Sequence, residues 1–156
     1  MPKLGDLVNA HSVLYRAKGA NRREVLKRLC TTAHDAYGVD ADEAFENAMK
    51  REALGGTGVG EGVAVPHARI KGLAKSVGVF ALLEKPTDFE GPDNIAADLV
   101  FLILSPEDSG ASHLKALAKV TRIMREPKNR SSLRSARSAA ALLALLTDED
   151  ESSQVA

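Results

Sequence analysis

The sequence predicts an α/β sandwich, one sheet with helices on both faces, and three observations point to it. Leu99–Leu104 (LVFLIL) is an unbroken apolar run, the pattern of a strand buried on both sides. Val77–Leu83 (VGVFALL) is a second such run. Segments with apolar residues at helical spacing, opened by capping residues, lie before and after both. At 156 residues the chain suits one core, since domains commonly hold about 100–150 residues. Its 44% hydrophobic and 27% charged content excludes disorder over most of the length.

In chain order, His11–Ala17 (HSVLYRA) reads as a short strand in which Val13 and Tyr15 alternate with their neighbours. Asn21 stands three residues before Glu24, the spacing of a capping box. Val25, Leu26, Leu29, Cys30, Ala33, Ala36 and Tyr37 then recur on one helical face as far as Gly38. Asp40 and Glu43 repeat the start signal for a second helix that ends at Gly55 and Gly56 and places Arg51 in its last turn. Gly55–Gly62 (GGTGVGEG) has five glycines in eight positions, a composition suited to tight turns and close approach. Val63–Val65 resumes a strand that Pro66 closes, because proline has no amide to continue a ladder; this puts His67 at a strand end. After the strands at 77–83 and 99–104 comes a loop at Ser105–Ala111. A helix through Leu114, Leu117, Ala118, Thr121 and Met124 follows, with His113 in its first turn, and stops before Pro127. A last helix runs through Ala139–Leu146. Residues 1–147 are thus expected to form one domain, with 148–156 as an acidic, flexible tail.

Composition excludes several functions. Lysine plus arginine equals aspartate plus glutamate at 21 each, so no global positive potential draws nucleic acid or an anionic membrane. The longest apolar run is far short of the roughly 20 residues of a membrane-spanning helix. The single Cys30 forms no intramolecular disulfide and no cysteine-based zinc site, and MPKLGDLVNA has no signal-peptide pattern. The expected location is the cytoplasm.

The glycine run fits neither a P-loop, which needs Gly-Lys followed by Ser or Thr, nor the dinucleotide fingerprint, because it follows a helix and enters a strand. Two readings stay open for it: an anion-binding nest of backbone amides, with Gly58, Gly60 and Gly62 as candidates, or a tight connection needing positive φ. Among the four histidines, His67 stands out at a strand terminus directly after this run, whereas His11 and His34 sit in ordinary positions. His113, near a positive helix end, and Arg51, a helix C-terminal cation or half of a surface pair with Glu52 or Glu46, each have a bland reading alone. If they share one sheet edge, the set suits phosphoryl transfer. A neutral His67 would be the nucleophile, with Arg51, His113 and backbone amides stabilising the charge on the equatorial oxygens, and neither metal nor cofactor is required. A metal held by His67 and His113 is the competing use, for which no third ligand has a diagnostic spacing. No Gly-x-Ser-x-Gly elbow occurs.

Arg51–Leu73 (REALGGTGVGEGVAVPHARIKGL) and Pro86–Met124 (PTDFEGPDNIAADLVFLILSPEDSGASHLKALAKVTRIM) resemble the fructose/mannitol and nitrogen-regulatory family of enzyme IIA domains of the bacterial phosphotransferase system. The resemblance implies that His67 carries the phosphoryl group and that His113 and Arg51 line its site. It also implies a mixed sheet of about five strands flanked by helices. The expected donor is HPr or a similar histidine phosphocarrier. The expected acceptor is a IIB domain in sugar import or, in the regulatory branch, a set of target proteins read by phosphorylation state. Free-standing length and the SPEDSGASHL stretch lean toward the regulatory branch. Ala68 and Arg69 replace the Gly-Lys common in the family after the histidine, a departure that bears on partner docking.

Overall fold

Strand β6, Ala97–Pro106, organises the molecule by burying both of its faces. Val100, Leu102 and Leu104 point into one core, and Leu99, Phe101 and Ile103 into another. This is the period-two consequence of an all-apolar strand. The computed structural model describes residues 4–148, so the expected acidic tail lies outside the described residues apart from its first residue, Asp148. Around β6 lie β1 (Val13–Ala17), β2 (Gly58–Gly60), β3 (Val63–Ala64), β4 (His67–Ile70) and β5 (Val77–Thr87). The helices are α1 (Arg22–Tyr37), α2 (Ala41–Ala53), α3 (Ala111–Arg125), α4 (Pro127–Ser135) and α5 (Ala139–Thr147).

The sheet runs β1-β5-β6-β3-β2, with β4 also on β6. It is mixed: β1 is parallel to β5, β5 antiparallel to β6, and β3 and β4 both parallel to β6. The six strands occupy five lanes. Ala64 pairs with Val100 and His67 with Ile103 in one unbroken register, so Pro66 divides a single lane without shifting it. Ile103 N donates to Pro66 O at 2.9 Å, keeping the ladder closed across the break. His67 therefore begins a strand, where the sequence reading had it following one.

Both capping signals hold. Asn21 and Asp40 side chains accept from Glu24 N and Glu43 N, and Gly38 ends α1 at φ 75°. His34 Nδ1 sits 2.9 Å from Val39 O, a capping contact without chemistry. Helices α1 and α2 cover the face bearing Val79, Ala81, Val100, Leu102 and Leu104. Val120, Met124, Leu133, Leu142 and Leu146, from α3, α4 and α5, cover the face bearing Phe80, Leu82, Leu99, Phe101 and Ile103.

Three features depart from the sequence reading. Helix α4 is new: Pro127 stops α3 but serves as the first residue of the next helix, where its missing amide costs nothing. The glycine run contains a short strand, β2, paired antiparallel to β3. The long strands run past their apolar cores, to Thr87 in β5 and to Pro106 in β6.

Beyond β3, β4 is an edge of the sheet, since β2 pairs only with β3. Two outward groups on and just after this strand are taken by α2: Asn47 Nδ2 donates to Arg69 O at 2.9 Å, and Lys71 N donates to a Glu43 carboxylate oxygen at 3.0 Å. The start of β5 is fixed by Tyr37, whose hydroxyl lies 2.8 Å from Leu7 O, Ser12 Oγ and Gly78 O. Tyr37→Phe leaves these half-buried acceptors short of a donor. It is expected to lower stability by about 1–3 kcal/mol, the cost of such a loss, measured as a fall in the urea midpoint at constant m-value.

Candidate functional site

Alternation along β4 sends Ala68 and Ile70 into the core under α1 and α2, leaving His67 and Arg69 on the opposite face. His113, on the third residue of α3, meets His67 there: the ring centroids are 5.4 Å apart and tilted by 55°. The packing of α3 makes His113 a buried residue, 4% exposed, while His67 is half-buried.

Each ring is anchored through Nδ1. His67 Nδ1 lies 2.9 Å from Val65 O. A carbonyl only accepts, so Nδ1 carries the proton of the neutral ring and Nε2 keeps its lone pair. His113 Nδ1 lies 2.6 Å from Ser105 Oγ, and Ser105 Oγ lies 2.8 Å from Ser76 Oγ. Both rings are held below the ordinary histidine pKa, chiefly by burial. For His113 the charges of Arg69 and His67 act in the same direction, and its pKa falls to about 4. For His67 the bond to Val65 opposes burial, the Arg51 charge reinforces it, Glu52 opposes and Arg69 reinforces. For both rings desolvation is the largest cause and neighbouring positive charge a smaller one.

Arg51 is thus brought within electrostatic reach of His67 from the end of α2. It is not half of a pair with Glu52 or Glu46. Its Nη1 donates to Gly55 O at 2.8 Å, closing its own turn, while Glu46 pairs with Lys50 at 3.3 Å. Glu52 is buried and bound to Arg22 at 3.0 Å. Glu52 also accepts from the Thr57 hydroxyl and from Thr57 N, so this carboxylate fixes the turn that Arg51 grips from the other side. Sequence reading missed Glu52, Arg22 and Thr57 in this role, and no local motif marks a buried ion pair formed between residues 30 apart.

The fold gives Gly58, Gly60 and Gly62 structural duties. The Gly58 amide is consumed by Phe89 O at 3.0 Å. A Cβ on Gly56 or Gly58 would collide with the backbone of Phe89 or Gly91, so close packing requires glycine there. Gly60 and Gly62 adopt φ of 98° and 76° at the hairpin tip, beside Asp93 and beside Arg134 and Asp98 respectively. Gly62 O accepts from Leu99 N, whereas His67 stands opposite Ile103. Four residues of strand separate the two, about 13 Å at roughly 3.3 Å per residue. These glycines thus serve close packing and tight turns, with Gly62 set well back from His67 along the lane. Among the described residues, no group of three or more His, Cys, Asp or Glu is placed to hold a metal ion, and no helix is long and apolar enough to cross a membrane.

A sheet of this topology with two facing histidines on α3 and β4 defines a class. The model of the phosphoenolpyruvate-dependent sugar phosphotransferase system EIIA 2 family matches residues 6–149, and the chain belongs to that family, whose members are phosphotransferase components carrying a phosphoryl group. The nitrogen regulatory protein of Bradyrhizobium diazoefficiens is 41% identical over 141 residues, covering 90% of this chain and 92% of the relative. The fructose-specific EIIABC component of Bacillus subtilis is 26% identical over 150 residues, which cover 96% of this chain but 24% of that protein. The crystal structure of the nitrogen regulatory protein IIA-Ntr from Neisseria meningitidis superposes with a TM-score of 0.81 at 30% identity, covering 90% of this chain and 96% of that one.

Two measurements test this geometry. Unfolded histidine titrates near 6.5 and folded His113 near 4, so between these values the unfolded chain binds the extra proton. Stability is therefore full above about pH 6.5 and falls as pH drops toward 4, by up to about 3 kcal/mol from this one ring. Thermal unfolding at pH 7 and pH 4.5 is expected to show the fall, and His113→Gln to reduce it. Arg22→Ala strands the buried Glu52 carboxylate and is expected to cost about 1.5–3 kcal/mol, as for hydrogen bonds to charged groups, read by chemical denaturation.

Proposed function

We propose that this protein accepts a phosphoryl group on His67 Nε2 from an HPr-like histidine phosphocarrier, and that the resulting change of charge regulates proteins of nitrogen or potassium metabolism. The observation that carries the reading is the anchoring of His67: its Nδ1–H is committed to Val65 O, so the nucleophilic lone pair stands on Nε2, beside a second ring and within the field of Arg51. Transfer forms the Nε2–P bond as the donor's N–P bond breaks. The electron pair returns to the donor imidazole, and the proton stays on Nδ1.

In this reading Arg51 and His113 are catalytic residues. They stabilise the charge spread over the equatorial oxygens in a partly dehydrated site, where such interactions are strong. Depressed basicity matters because an imidazolium has no lone pair to attack with, and lowering both rings below the ordinary histidine value favours the neutral form. The 41% identity to a nitrogen regulatory protein over nearly all of that relative's length supports the regulatory branch over sugar import.

Incubation with phosphoenolpyruvate, enzyme I and the HPr-like carrier is expected to label the wild-type protein with acid-labile, base-stable phosphate and to leave His67→Ala unlabelled. Undiminished labelling of His67→Ala would overturn the assignment. Arg51→Ala and His113→Ala are expected to fold and to transfer about 10²–10³-fold more slowly, the usual loss for one electrostatic donor. The branch is decided by the acceptor: rapid passage to a fructose- or mannitol-type IIB domain favours import, and its absence alongside phosphorylation-sensitive binding to a potassium or nitrogen regulator favours sensing.

A further inference from the structure

Among the described residues His113 makes one polar contact, from Nδ1 to Ser105 Oγ at 2.6 Å. Among the described residues, no buried side-chain nitrogen or oxygen lacks a partner, so Nε2, which has none, opens onto the site. Ser105 is completely buried, and its hydroxyl meets Ser76 Oγ at 2.8 Å. The pair is built into the sheet. Val77 pairs with Leu104 in the antiparallel β5–β6 ladder, so Ser76 and Ser105 are the next positions in that register. Alternation puts Ser105 on the same face of β6 as Phe101 and Ile103, the face that α3 covers. Ser76 lines an open groove with Pro106, Ser109 and Ser112, where its remaining lone pairs reach water.

We propose that Ser105, backed by Ser76, is a positioning residue that holds His113 as the tautomer with its proton on Nε2, so that this ring donates a hydrogen bond to the phosphoryl oxygens on His67. The role of the donated bond rests on the carrier function proposed above; the tautomer itself does not. A neutral imidazole has one proton, and its two nitrogens must divide the roles of donor and acceptor. An Nε2 lone pair facing a phosphoryl oxygen is repelled, so Nε2 must hold the proton when the group is present. Nδ1 is then an acceptor inside the protein and needs a donor. Ser105 is the one within reach among the described residues. Its own oxygen accepts from the Ser76 hydroxyl, which gives a chain of donors in one direction: Ser76 to Ser105 to His113 to phosphoryl oxygen. Each bond polarises the next. The depressed basicity of His113 fits this arrangement, because a doubly protonated ring would turn Nδ1–H against the Ser105 proton and break the chain.

The test uses full-length protein with ¹⁵N-labelled histidine. In the unphosphorylated wild type at pH 7, His113 is expected to show an unprotonated, pyridine-type Nδ1 and a protonated Nε2. Ser105→Ala is expected to move the population toward the Nδ1–H form, Ser105→Thr to retain the wild-type signature through its hydroxyl, and Ser76→Ala to give a smaller shift. The His67 signals, protonated at Nδ1, report whether each variant keeps the fold. In phosphotransfer, Ser105→Ala is expected to slow the step about five- to a hundredfold, the range for one unsatisfied buried acceptor, with Ser105→Thr restoring most of the rate. A wild-type ring protonated at Nδ1, or a Ser105→Ala variant with unchanged tautomer or unchanged transfer, overturns the inference. If wild-type protein takes no label at all, the carrier reading falls, and the nitrogen signals still decide the effect of the serines.

Discussion

Everything at the site depends on how a strand pairs with β6. The lane formed by β3 and β4 runs parallel to β6 in one register despite Pro66, and that register decides that His67 stands opposite Ile103. A slip of one residue would turn Ala68 and Ile70 out of the core beneath α1 and α2 and carry His67 and Arg69 into it. The core therefore enforces the position of the histidine. Helix α3 then has one way to sit on the Leu99, Phe101 and Ile103 face, which delivers His113 to the same place.

Burial also sets the chemistry. Two imidazoles close together beside Arg51 and Arg69 would repel one another if charged. Desolvation and the nearby guanidinium groups both favour the neutral rings, so the pair adds little positive charge of its own to the pocket. The buried Glu52 moderates this field and anchors the Thr57 turn. Arg51, tied to Gly55 O, is held by that turn as well as by its helix.

Much of this was legible in the sequence because it is local. Capping residues, apolar periodicity and the glycines at helix ends placed α1, α2, α3 and α5 and both long strands, and the position after Pro66 singled out His67. What escaped was non-local. Partnership of Ser105 with His113, or of Glu52 with Arg22, depends on which strands and helices meet, and an isolated serine or glutamate carries no sign of it. Gly58, Gly60 and Gly62 were ambiguous for a related reason: close packing against Phe89–Gly91, turn geometry and anion binding all ask for glycine, and composition does not separate them. Pro127 ended one helix as read, but its second use, as the first residue of α4, was overlooked.

The treatment of the β4 edge has a consequence for recognition. An unprotected edge beside His67 would invite another chain to extend the sheet, binding by main-chain bonds that barely distinguish one sequence from another. With Asn47 on Arg69 O and Glu43 on Lys71 N, that route is closed at these positions. A visiting protein must meet side chains instead of backbone, so its selection rests on surface shape and charge. Exposed side chains such as Arg69 can vary there without disturbing the sheet beneath.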